Sequence, residues 1–373
     1  MLQGFGVALA IIVFVTVHEA GHFLAAKAVG MKVNEFFFGF GPKIWSTKKG
    51  ETEYGFKWLP LGGYVRIVGM NPLEDVAPED LGRTYREKKF WEKSFVVLAG
   101  VGLNFLMAFL LFYAIFMVNG VSDPQPVVAE IVPTIEEDGV ERPSPAAEAG
   151  LEPGDELVAI GSARVTGWAG AIDALAAAGP GPTTVTVSRA GSQMTFDVEL
   201  AENTLPDGTT AGFLGVRPED PRRQPGPFEG IGLAAGELGT GIRLTFEAIG
   251  NLLSPSSIAQ YLGVFVGETD VDLEARPVSP IGIVNLGAQT SSFVALAGTM
   301  AILNVTLAAF NMIPLPPLDG GHFAVAFYEK VTGRTADVRK LAPIAVAVVG
   351  IFAFLGLVAI ILDVVDPIDL SAP

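Results

Sequence analysis

Two of the three histidines in this chain stand four residues apart, in His18-Glu19-Ala20-Gly21-His22. On an α-helix, positions i and i+4 share a face, so both imidazoles reach one ion. Glu19 sits beside that ion without binding it, where a carboxylate activates water. Five residues with two free positions are only moderately specific. Their setting sharpens the reading, because Gly4 to Val17 is apolar. A charged residue at mid-bilayer costs roughly 2.5–3.5 kcal/mol. A structural role must explain why three ionisable groups gather there at metal spacing; histidines lining a channel or a water cavity are what it offers.

A catalytic zinc takes three protein ligands and leaves the fourth position for water. The missing ligand must come from elsewhere, and the segment Asn311-Met-Ile-Pro-Leu-Pro-Pro-Leu-Asp319-Gly-Gly-His322 supplies both an acid and the last histidine. Its three prolines end or distort a helix, and broken backbone at membrane depth is tolerated where it lines a polar cavity. The bland reading is a helix-ending turn with Asp319 capping the next stretch of chain. Histidine is the commoner ligand, which favours His322. Against it, Gly320-Gly321 should free the backbone for a close approach of Asp319. A carboxylate also offsets part of the zinc charge, and two histidines with one carboxylate form a known catalytic set. His322 then marks the cytoplasmic end of the span. With no cysteine in the chain, thiolate nucleophiles and Cys-type metal sites are excluded.

The elements that carry these groups are membrane helices. Half of the 373 residues are hydrophobic and 17% are charged, and mean hydropathy is +0.46; soluble domains carry about a quarter charged residues. Four apolar stretches meet the roughly 20-residue requirement of a bilayer core: residues 4–29, 94–118, 293–313 and 341–362. The first has no Lys or Arg before Lys27, which argues against a cleavable signal peptide. Residues 27–93 hold 12 Lys/Arg against 9 Asp/Glu, whereas 119–292 hold 8 against 24. Basic loops face the cytoplasm, so residues 31–93 and 322–340 are expected inside, and both termini and the acidic insert outside. A globally acidic chain excludes a nucleic-acid partner, which needs a basic face; the bilayer itself is the expected surroundings. From Gly4 to His18 a helix rises about 21 Å, which puts the site in the inner part of a core about 30 Å thick.

The outside region reads as a folded α+β domain over 127–217, after a linker at 119–126. Its expected elements are a strand at 127–132, a helix, turn and strand within 144–160, a helix at 169–178 and a hairpin of 183–188 with 194–200. Beyond a Pro/Arg linker, apolar residues from Ile231 to Leu253 recur every three to four positions. That spacing predicts an amphipathic helix on the bilayer, on the helical bundle or on the outside domain.

HEAGH in a first span, PLPPLDGGH at the end of a later one, and a PDZ-like insert between them resemble the site-2 protease family of intramembrane zinc metalloproteases, in its bacterial RseP-type branch with one PDZ domain. The resemblance covers nearly the whole chain. Gly39-Phe-Gly-Pro42 is similar to the motif after the first span, and Leu59-Pro-Leu-Gly-Gly-Tyr-Val-Arg66 to the membrane-dipping β-hairpin. Pro280-Ile-Gly-Ile283 matches the segment before the third span, and Asn304 and Asn311 match its asparagines. Ala99-Gly100…Asn104 matches only partly, with Val101 where proline is usual.

The resemblance implies a polytopic α-helical membrane protein of four transmembrane helices, with a cytoplasmic-side membrane-dipping β-hairpin and one extracytoplasmic PDZ-like domain. The third helix, 293–321, would carry the Leu-Asp-Gly motif, the fourth would run 341–363, and 364–373 would be a tail. One zinc would be held by His18, His22 and Asp319, with Glu19 as general base. The implied reaction, in a bacterial cytoplasmic membrane, is peptide hydrolysis within the spanning helix of a single-pass protein, typically an anti-sigma factor already shortened outside. A helical substrate must unwind, and an extended edge accepts it by strand addition. Glu53–Phe56 and Tyr64–Ile67, joined through Gly62-Gly63, are the expected edge. Asn304 and Asn311 are expected to hold the unwound backbone, or else to bond between helices. The PDZ-like domain either binds C-termini or filters substrates by size. From another class, the alternative is a membrane-anchored PDZ scaffold with a structural or inactive metal site; a glutamate at position 19 has no purpose there.

Overall fold

The computed structural model describes residues 2–71, 74–137, 140–204, 209–268, 271–273, 275–289 and 292–368. It divides into two compact units, Met1–Val118 with Gly226–Pro373, and Asn119–Pro225.

The first unit opens with α1 (Leu2–Ala28), followed by β1 (Val33–Lys49), β2 (Thr52–Ile67) and α2 (Phe90–Asn119). β1 and β2 form one antiparallel pair that folds back on itself. Glu35–Phe38 pairs with Gly63–Arg66 on one side and with Glu53–Phe56 on the other, and Glu53–Phe56 also pairs with Trp45–Lys48. Glu53–Phe56 is therefore interior, which corrects the expected edge: of the two strands expected to form it, the 63–66 stretch alone keeps a free side among the described residues. The cause is register, since a chain this rich in aromatic and β-branched residues gains more by doubling its ladder than by leaving two strands open. Phe37 is buried, and Val33 and Ile67 join Ala25, Ala26, Val96 and Val97 in a core under α1 and α2. Trp45 and Trp58 are exposed. At the β1–β2 turn Glu51 bridges Arg83 and Lys27, which hold its carboxyl down at about 2 and tie the sheet to the end of α1.

The second unit is β-rich. Its elements are β3 (Val121–Ser122), β4 (Val128–Ile131), β5 (Thr134–Glu137), β6 (Val140–Pro143), α3 (Pro145–Ala149), β7 (Glu156–Ile160), β8 (Ala163–Arg164), α4 (Gly167–Ala178), β9 (Gly181–Arg189), β10 (Ser192–Thr204), β11 (Thr210–Phe213), β12 (Val216–Pro218) and β13 (Arg222–Arg223). Antiparallel strands in the order β11-β10-β9-β7-β8 form its main sheet. Alternation places Val185, Val187, Val198 and Leu200 on the inner face with Leu157 and Ile160, as a half-buried sheet requires. Ser144 Oγ accepts from Ala147 N at 3.2 Å, with Pro145 opening the helix, a pairing suited to a helix start. Asp155, buried, accepts two bonds of 2.7 Å from Arg189 and one from Glu152 N.

The chain then returns to the first unit through α5 (Pro227–Leu252), α6 (Pro255–Val264), α7 (Pro280–Gln289), α8 (Phe293–Asn311), α9 (Asp319–Thr332) and α10 (Val338–Val365). The amphipathic helix α5 packs on the bundle: Gly230 lies against Tyr113 and Met117 of α2, and Gly241 against Val305 of α8. Helices α6 and α7 are folded against the bundle. Ser279 N donates to Asp363 Oδ2 at 2.7 Å, and the Arg276 guanidinium bonds Leu362 O and Asp366. Among the described residues four helices, α1, α2, α8 and α10, are long and apolar enough to cross a membrane.

The third span ends earlier than expected. Proline lacks an amide donor and pushes the residue before it out of the α region, so α8 stops at Asn311. Residues 312–318 are irregular and Asp319 begins a new helix, so 319–332, read as the end of a span and a loop, is helical. Asp319 does not cap it, because Leu318 is the N-cap. The glycine pair also has another purpose than the one expected. A Cβ on Gly321 would lie 2.6–2.8 Å from the Leu315 carbonyl group, and one on Gly320 would strike the Met312 and Ile313 carbonyls. Glycine there lets the 312–316 segment fold onto the first turn of α9.

Candidate active site

His18 and His22 lie on the inner face of α1, 5% and 6% exposed. Their Nε2 atoms are 3.1 Å apart, and the Oδ2 of Asp319 lies 2.9 Å from the first and 3.1 Å from the second. Chain residues 297 positions apart thus meet. Around a tetrahedral zinc, ligand bonds of about 2.0–2.1 Å put donor atoms about 3.3 Å from each other. The three donors present fit that edge to within a few tenths of an ångström. His22 Nδ1 donates to the Val96 carbonyl at 2.8 Å. A carbonyl only accepts, so Nδ1 carries the proton, which leaves Nε2 as the ring nitrogen that can offer a lone pair to a metal.

Glycine on both helices makes that bond geometrically possible. A Cβ on Gly21 would lie 2.6–2.8 Å from Ala99 and Gly100 backbone atoms, and one on Gly100 would overlap the His22 ring. Val96, Gly100 and Asn104, spaced by four along α2, face the histidines; Asn104 Nδ2 is 3.4 Å from His18 Nδ1. Sequence reasoning assigned none of them chemistry. The signal was present as the partial Ala99-Gly100…Asn104 match, but a backbone carbonyl leaves no trace in residue type.

Glu19 lies between the two histidines on the chain, with the Val65 backbone close enough to act on its carboxylate. A Cβ on Gly63 would be 3.2 Å from Glu19 Cγ, so the sheet edge lies against this carboxylate. Tyr64 is tied by its hydroxyl to Lys57 at 2.5 Å and to Glu35. Gly62 has φ of 109°, left-handed backbone suited to glycine. Asn304, 0% exposed, donates to the Asn104 backbone carbonyl at 2.9 Å, the interhelical bond that was the competing reading. Asn311 donates to Leu307 O of its own helix at 3.0 Å and is half-buried. A cavity of about 910 Å³ adjoins, lined by Tyr64–Ile67, Pro316, Pro317, His322 and Leu341. His322 lies on that wall, outside the three-donor cluster.

The model of peptidase family M50 matches residues 6–357. The chain belongs to peptidase family M50, the site-2 protease family. Among curated relatives, this M50 peptidase is 34% identical to the zinc metalloprotease Rip1 of Mycolicibacterium smegmatis, over 99% of this chain and 100% of that protein. It is 32% identical to zinc metalloprotease Rip1 of Mycobacterium tuberculosis, over 97% of each chain. As an M50 peptidase with four spanning-length apolar helices, it is an integral membrane zinc metalloprotease acting on membrane-protein substrates.

Proposed function

We propose that this M50 peptidase is a single-zinc endopeptidase of the RseP-type branch. It cuts a peptide bond within the membrane span of single-pass proteins of the anti-sigma-factor kind, already shortened outside. The observation that carries this is the meeting of His18, His22 and Asp319 within 3.1 Å inside an apolar helix bundle. His18 and His22 would hold zinc through Nε2 and Asp319 through its carboxylate. When bound, zinc supplies a Lewis acid that acidifies water and polarises a carbonyl.

The chain's own groups do the rest. The Glu19 carboxylate takes the proton of the attacking water and returns it to the departing amide nitrogen, and the sheet edge at Gly63 lies against that side chain. Tyr64–Ile67 lines the cavity as a strand with one free side, which suits strand addition by an unwound helix. The β-rich unit and both termini are read as extracytoplasmic from the charge of the loops, and the family resemblance adds a PDZ-like character for that unit and a bacterial inner membrane.

The test is Glu19→Gln in purified full-length protein. Cleavage of a model spanning peptide should vanish while zinc stays near one per chain. Wild-type turnover in that variant, or zinc content far from one, refutes the assignment.

A further inference from the structure

The stripe Val96–Gly100–Asn104 meets the two histidines in antiparallel order, with the Val96 carbonyl on His22 and the Asn104 amide on His18. Asn104 is fully buried, and its Oδ1 has no hydrogen-bond partner among the described residues. Its Nδ2, by contrast, faces His18 Nδ1 at 3.4 Å, a long contact for a hydrogen bond. A half-turn of the amide exchanges the two atoms at almost unchanged shape. The two orientations select opposite tautomers of His18. With nitrogen inward, Nδ1 must accept, so Nε2 carries the proton and has no lone pair to offer. With oxygen inward, Nδ1–H donates and Nε2 is free, matching His22.

We propose that Asn104 is a positioning residue for zinc binding, whose side-chain oxygen accepts the Nδ1 proton of His18 and so fixes the tautomer that ligates through Nε2. The inference rests on the zinc reading above. It places the outer partners of both histidines on one helix, α2, eight residues apart. Height along α2 is set by α8: Asn304 Nδ2 donates to the Asn104 backbone carbonyl at 2.9 Å, and both asparagines are 0% exposed. Asn304 then acts by holding α2, since contact with a substrate would require α2 and α8 to part. Outer partners of ligating histidines orient the ring and raise its basicity, and their loss typically lowers metal affinity 10–100-fold.

Two substitutions separate this role from simple packing. Asn104→Asp keeps an acceptor and removes every donor; Asn104→Leu keeps the bulk and removes both. Full-length protein in detergent is stripped with a chelator and titrated with zinc against a competing chelator. Because the chain has three histidines, ¹⁵N-imidazole spectra also report the His18 tautomer directly. Expected are a 10–100-fold weaker zinc affinity for Asn104→Leu, near wild-type affinity for Asn104→Asp, and a protonated Nδ1 on His18 in zinc-loaded wild type.

Wild-type affinity in Asn104→Leu, an Asn104→Asp as weak as a folded Asn104→Leu, or an unprotonated His18 Nδ1 overturns the proposal. Should Asn104→Leu not fold, the Asp variant against wild type and the wild-type spectrum decide. Failure of the underlying reading looks different: wild type itself would bind no tight zinc that His18→Ala abolishes.

Discussion

Gly100→Ala tests how closely α1 and α2 must approach. The new Cβ would lie 2.7 Å from His22 Cε1 and 2.9 Å from Cδ2, where non-bonded carbons settle at about 3.5–4.0 Å. The ring must therefore recede by about 1 Å. A recession of that size stretches the 2.8 Å His22–Val96 bond to about 3.8 Å, beyond hydrogen-bonding range. Overpacking of this kind costs about 1–3 kcal/mol of stability. Losing the outer partner of a ligand costs about 10–100-fold in zinc affinity, which corresponds to about 1.4–2.7 kcal/mol. Chelator competition on purified protein reads the affinity, and thermal unfolding with and without zinc separates it from stability. Zinc affinity within about twofold of wild type would refute the close-contact reasoning, whatever the activity.

Asp319→Ala should lose activity and tight zinc together, whereas His322→Ala, on the cavity wall, should keep zinc with at most a partial loss of turnover. The reverse pattern in metal analysis would make His322 the third ligand instead. For orientation, protease added from outside should trim residues 125–285 and spare 40–90; trimming of the first loop instead reverses the charge argument. The Asp155–Arg189 pair gives the second unit an acid dependence. Arg189 holds the Asp155 carboxyl below its usual range, so the stabilisation is complete above the unfolded value near about 3.9 and disappears as pH falls through the lower folded value. Amide protection across 119–225 in the full chain, taken relative to the intrinsic exchange rate at each pH, should fall below about pH 4, and Arg189→Met should be less protected already at pH 7 with a weaker acid dependence. An unchanged acid profile in Arg189→Met contradicts the assignment.

The spans and the donors were legible because both depend on residue type: uncharged runs of spanning length, and histidines at helical spacing. What escaped depends on partners distant in sequence. Glu53–Phe56 and Tyr64–Ile67 look alike as strands, and only the insertion of Glu35–Phe38 between them makes one interior and the other an edge. Helices α6 and α7 are ten residues each, too short to show a sustained period, and anchoring by Arg276 and Asp363 holds their segment in place. The start of α9 was hidden by its glycines, which ordinarily disfavour a helix and are required here by the chain folded over them. Asn104 carried no chemistry of its own type, because its part is to orient another residue.

The contact between His22 and Asp319 spans 297 positions, and that separation has a temporal side. At synthesis rates of roughly 5–20 residues per second, Asp319 leaves the ribosome about 15–60 s after His22. During that interval the newborn chain has HEAGH and the sheet beside it but lacks the third donor. Nor can a truncated or stalled product acquire it, since among the described residues no other acid joins the two histidines. Until Asp319 emerges the three-donor cluster cannot assemble, however early α1 and the sheet beside it have folded.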